Sequence, residues 1–139
     1  MPKTTYPLAR TTLADDGKFA GTVAFSNGVK VSGGETVYIS GQLAFDRNMN
    51  IVGKGDMYAQ TKQVLENIKV VLDAAGGTFK DVVRVTVYTT DISRFREIHD
   101  ARLEYFDADN LPASTMVEIK AFVNDDALIE IDAVAVIGA

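Results

Sequence analysis

Apolar residues follow two different periods along this chain, and the switches between them outline its elements. Val64, Leu65, Ile68, Val71, Leu72 and Ala75 recur at helical spacing, an apolar stripe that predicts a helix over about residues 57–75. Asp56 is placed to cap its start, and Gly76-Gly77 supplies residues that tolerate the left-handed conformation at its end. Upstream, Val23, Phe25, Val29 and Val31 precede Ser32-Gly-Gly-Glu35, and Thr36-Val-Tyr-Ile-Ser40 follows. Two β-prone runs around a Gly-Gly turn predict a hairpin. Gly41, at the end of the second run, marks a bulge or a close approach of another group to the backbone.

Beyond the helix the period returns to two. Val83, Val85 and Val87 alternate with Arg84, Thr86 and Tyr88, which predicts a half-buried strand over 81–90. Asp91 or Ser93 then caps a second helix over roughly 94–106, ending before Asp107-Ala-Asp-Asn110. The last third alternates twice more, over 111–122 and 128–137, and the polar linker Val123-Asn-Asp-Asp-Ala127 reads as a turn between adjacent antiparallel strands. Glu130 and Asp132 are two apart, so both carboxylates leave one face of the final strand.

The order strand, strand, helix, strand, helix, strand, strand reads as a two-layer α+β domain, a mixed sheet with both helices on one face. The other face would carry Tyr88, Met116, Phe122, Val134 and Val136, too apolar to stay in water, so a homo-oligomer that buries it is expected. Residues 1–20 are polar and weakly patterned, an N-terminal extension to a single domain over 21–139.

Composition narrows the function classes. With 139 residues, 47% of them hydrophobic, the chain can bury one core and falls short of two ordinary domains. It has no Cys, so no disulfide framework or thiolate metal site is available. No apolar run approaches the roughly 20 residues that span a bilayer, and the N-terminus lacks a signal-peptide core, so a cytoplasmic protein without a membrane partner is expected. A net charge of −5 without a Lys/Arg cluster argues against nucleic acid as a partner. Asp46, Asn48 and Asn50 lack the glycine and distal glutamate of a calcium loop, and no metal or cofactor is expected.

Several segments together resemble the RidA/YjgF family, also labelled endoribonuclease L-PSP. They are Val37-Tyr-Ile-Ser-Gly-Gln42, Gln60-Thr-Lys-Gln-Val-Leu-Glu-Asn-Ile68, Ala74-Ala-Gly76, Val85-Thr-Val-Tyr88 with Asp91, Phe95-Arg-Glu-Ile98, Pro112-Ala113, Val117-Glu118 and Ile129-Glu-Ile-Asp-Ala-Val-Ala135. The resemblance implies a chorismate-mutase-like fold, a homotrimer whose sheets form an inner barrel, and small-metabolite clefts between subunits. It also implies hydrolysis of enamines or imines to a carbonyl compound and ammonia. The family's water-positioning glutamate matches Glu130, and its glycine with an inward amide matches Gly41. The family's carboxylate-clamping arginine falls on Ser114, its cleft tyrosine on Phe25, and a helix asparagine on His99. A hydroxyl cannot replace a guanidinium that grips a carboxylate through paired hydrogen bonds. The cleft is therefore expected to lack its usual positive charge, and the substrate to differ from a standard 2-imino acid.

Each candidate has a plainer reading. On a helical wheel His99 and Arg102 lie within about 40° of Phe95, on the apolar face. His99 is either an acid/base group or a partly buried histidine. Arg102 is either a displaced cation, one turn from His99, or a snorkelling side chain or interface ion pair. Glu130 and Asp132 are either catalytic or strand charges that are solvated or paired across an interface, and Ser114 has no His-Asp arrangement beside it in sequence to activate it. A metabolite-binding or regulatory trimer without catalysis is the alternative function. A ribonuclease or translation-inhibitor role is disfavoured by the charge.

Overall fold

Helices form where the apolar stripes meet suitable caps. In the computed structural model, which describes residues 3–8 and 23–139, helix α1 spans Met57–Ala75 as the periodicity predicts. The Asp56 carboxylate accepts the Ala59 amide at its N-terminus, and Gly76 closes it at φ 82°. Helix α2 is shorter than its pattern, Phe95–Arg102, preceded by a short 3-10 turn, Ile92–Arg94, that the Asp91 side chain caps. Past Arg102 the Tyr105 and Phe106 amides still donate to the Arg102 carbonyl, so the chain coils on without remaining an α-helix.

The strands among the described residues are β1 (Lys3–Tyr6), β2 (Gly28–Val31), β3 (Glu35–Gln42), β4 (Val82–Thr89), β5 (Ala113–Glu118) and β6 (Ile129–Ile137). The main sheet has the order β3-β6-β4-β5. β6 pairs antiparallel with β3 and β4, whereas β4 and β5 are parallel, joined by the crossover through α2 that parallel pairing requires. Ile39, Val85, Val87, Ile129, Ile131, Ala133 and Ala135 face the helices and bury against Leu65, Ile68, Leu72 and Ile98. The result is the expected two-layer α+β sandwich.

Pairing departs from the sequence reading in several places. Ser32-Gly-Gly34 joins β2 to β3, with Gly33 and Gly34 at φ 72° and 75°, yet the two strands form no hairpin. β2 pairs with β1, and β3 takes the longer, more apolar β6. Nor are β5 and β6 neighbours, because β4 lies between them. On β4 a bulge between Val82 and Arg84 turns Val82, rather than Val83, into the core. Met116 stands beside Val87 in register and so belongs to the helix side, not the open face. The open face keeps Tyr88, Val134 and Val136 and adds Tyr38, 80% exposed. The boundary expected between residues 20 and 21 lies outside the described residues.

Candidate functional site

Along α2, Phe95, His99 and Arg102 follow one another at helical spacing and turn toward the outer edge of β5. The segment before β2 runs along that edge. The Ser26 amide donates to the Pro112 carbonyl (2.9 Å), and Ser26 bridges Ala113 in parallel. From the helix side the Arg102 Nη2 donates to the Ala24 carbonyl (3.0 Å). These ties hang Phe25 between strand edge and helix. A cavity of about 310 Å3 results, lined by Phe25, Ile92, Phe95, His99, Arg102, Ser114 and Met116. That volume is at the small end of the roughly 300–1,000 Å3 of ligand pockets.

The imidazole of His99, 7% exposed, meets the Phe95 ring edge-on at 5.7 Å and the Phe25 ring, tilted, at 6.2 Å. Burial, helped by the positive Arg102 and Arg96, lowers His99 to about 4, so it is neutral at pH 7. Arg102 is 1% exposed, so its head does not snorkel to water. Desolvation lowers it to about 10, which leaves it charged. Among the described residues, the buried side-chain nitrogens and oxygens without a hydrogen-bond partner are His99 Nδ1, Arg102 Nε and Arg102 Nη1, all on residues of this cavity. Buried polar groups are almost always partnered, so three orphans around one void mark a place built for something else. The expectation of an uncharged cleft is corrected here: position 114 carries a hydroxyl, but a guanidinium enters from the helix.

Phe25, His99, Arg102 and Ser114 thus share one cavity, joined by Met116, whereas Glu130 and Gly41 lie elsewhere. Ile129 and Ile131 point into the core, so Glu130 between them points to the open face of the sheet. There it meets Gly41, where the β3–β6 register slips between Ile39 and Gln42. A Cβ on Gly41 would lie 2.6 Å from Glu130 Cδ, so the glycine is both bulge and close approach. Burial, then the charge of Asp132, raises the Glu130 carboxyl above its ordinary range. Tyr88 Oη donates to Asp132 at 3.5 Å. Within one chain, the sheet separates Glu130 from His99.

Sequence reasoning passed over Ile92 and Phe95 as lining residues. The signal for Phe95 was present, since it is four residues before His99 on the same helical face. A larger groove of about 640 Å3 lies between α1 and the loop after β3, but its polar floor is spent on structure. Asn67 Nδ2 donates to the Leu43 and Phe45 carbonyls, and Gln63 Nε2 to Asn67 Oδ1. Among the described residues no cluster of three His, Cys, Asp or Glu could hold a metal ion, and no helix is long and apolar enough to cross a membrane.

The family profile described as Endoribonuclease L-PSP matches residues 17–137. A RutC family protein of Pyrococcus horikoshii is 41% identical over 105 residues, 76% of this chain and 82% of that one. The chain belongs to the RidA/YjgF family. Among solved structures, the Rid protein YyfB of Yersinia pestis superposes with a TM-score of 0.85 at 30% identity, covering 99% of this chain and 100% of that one. The E. coli protein TdcF, solved with bound serine, gives 0.66 at 30% identity over 81% of this chain and 87% of its own. In this RidA/YjgF protein Gly41 and Glu130 lie together on the open face of the sheet. Position 114 is a serine.

Proposed function

We propose that this protein is a homotrimeric hydrolase that deaminates a small enamine or imine other than a standard 2-imino acid, in clefts between subunits. The observation that carries the reading is the cavity at the β5 edge, which holds a neutral imidazole with an unpartnered Nδ1 beside the position of the family's clamp. Glu130, on the far face of the sheet, reaches such a cleft only from a second copy, and the apolar open face gives that copy a surface to cover. The serine bound to TdcF, a small amino acid, supports a metabolite-sized ligand.

The chemistry asks for two proton-handling groups and a held substrate. An enamine protonated at carbon becomes its iminium; water adds to the C=N carbon while Glu130 takes a proton from it. The carbinolamine then expels ammonia as its nitrogen receives a proton and its hydroxyl gives one up to water, leaving a carbonyl compound. A carboxyl group held above its ordinary range is suited to accept and return that proton. His99, neutral at pH 7, accepts or relays one through Nδ1. Gly41 leaves the space that Glu130 occupies.

Ammonia release over a panel of enzymatically generated enamines and imines, together with light scattering, tests the reading. Expected are a trimer, turnover of at least one bulkier apolar substrate, little on 2-aminoacrylate, and loss of turnover in Glu130→Gln. A folded trimer that releases no ammonia from any of them would instead be the non-catalytic binder.

A further inference from the structure

We infer that Arg102 is the anion anchor of the β5-edge cavity, and that the cavity takes a small carboxylic acid with a flat or compact apolar body. The inference rests on the reading of this cavity as the ligand site and adds the group that holds the ligand and the class held. It starts from an energetic imbalance. A buried guanidinium normally has its donors matched, because desolvating a charge without partners is costly. Among the described residues Arg102 makes a single side-chain hydrogen bond, from Nη2 to the Ala24 carbonyl, and Nε and Nη1 donate to nothing. Among the described residues no acidic side chain lines the cavity to neutralise it.

A carboxylate supplies what is missing: a full negative charge and several acceptor sites for a planar donor group. The other walls fix the rest of the ligand. Phe25, Ile92, Phe95 and Met116 are apolar, and His99 is neutral, so it brings no second charge. Among the described lining residues only Ser114 adds a hydroxyl. Such walls favour an apolar body and leave one end, at Arg102, for charge. In this chain the cation thus stands on α2, whereas the strand position at the same cavity is neutral. Moving the anchor from strand to helix turns the bound acid relative to Glu130, which is a physical reason for a changed substrate.

Phenylacetate, its neutral isostere phenylacetamide, and acetate are the probes. The chain has a single histidine, so the His99 ring resonances report occupancy of this cavity without ambiguity. In the full-length wild type at pH 7, phenylacetate is expected to shift those resonances and to bind at least about tenfold more tightly than phenylacetamide or acetate. Arg102→Met should remove the preference for the acid and leave phenylacetamide binding within about twofold, and Arg102→Lys should restore part of it. Equal binding of phenylacetate and phenylacetamide by the wild type, or no binding of either, overturns the anchor without need of any variant. So does an Arg102→Met protein that binds phenylacetate as the wild type does. These outcomes are independent of turnover: acid-selective binding without ammonia release from any substrate would retain the anchor and refute the deaminase. Ammonia release with a KM untouched by Arg102→Met would do the reverse.

Discussion

Arg102 on α2 and Ser114 on β5 line the same cavity, the one a buried charge with unpartnered nitrogens and the other a short hydroxyl. A side chain kept at such cost for folding alone would be expected to find partners within the chain. Its replacement therefore has a diagnostic sign.

Arg102→Met exchanges a desolvated cation for an apolar side chain of similar reach. Replacing buried charges with apolar groups is often neutral or stabilising, and sites selected for binding commonly trade stability for function. Chemical denaturation should find the variant within about 1 kcal/mol of wild type or more stable, even though the Ala24 carbonyl loses its donor. A loss above roughly 2 kcal/mol would mark Arg102 as a structural residue.

Gly41→Ala places a methyl group 2.6 Å from Glu130 Cδ and 2.7 Å from its Oε2. The obstruction is the end of a flexible side chain, so folding should suffer by no more than about 1 kcal/mol. The carboxylate, however, must leave its position. Ammonia release should fall about as far as in Glu130→Gln, and the double variant should be no worse than either single one. Additive losses would separate the two residues.

His99 gives a pH signature. Its folded-state value is about 4 against an ordinary 6.5, so between those values the unfolded chain binds a proton that the folded one refuses. Its contribution is complete above about 6.5 and is lost as pH falls toward 4. Wild type minus His99→Gln should show a stability difference that declines by roughly 1–3 kcal/mol across that window. A flat difference means that the imidazole is already accessible to protons.

Away from the site, Gln60 joins three segments from a fully buried position. Its Nε2 donates to the Gly53 and Asp126 carbonyls at 3.1 and 2.9 Å, and its Oε1 accepts the Leu128 amide at 2.8 Å. Gln60→Leu should cost about 2–4 kcal/mol in denaturant unfolding, because the backbone groups it serves lose their partner in or near the interior. A loss below about 1 kcal/mol would show that water replaces it.

What could be read from the sequence divides by range. Helix α1 was legible to its ends because stripe, Asp56 and Gly76 lie within one short window. Strand partners were not, since pairing joins residues far apart. β4 inserts between β5 and β6, and β6 draws β3 away from β2 although Gly33-Gly34 favours a local turn. Met116 was assigned to the wrong face because Ser114 and Met116 are scarcely more or less apolar than Thr115 and Val117. Only the register beside Val85 and Val87 decides it. At the site, helical spacing sufficed to put His99 and Arg102 on the buried face. That Phe25 joins them depends on Ala24–Ser26 lying along the β5 edge, which no local pattern encodes.

In the proposed trimer one copy supplies His99 and another supplies Glu130. Glu130→Gln and His99→Gln proteins, each inactive alone on a substrate that wild type deaminates, can be unfolded together and reassembled. If the cleft is shared between subunits, random mixing restores roughly a quarter of wild-type ammonia release, since that share of clefts pairs an intact histidine with an intact glutamate. Mixed trimers that form and release no more ammonia than the parents would contradict it.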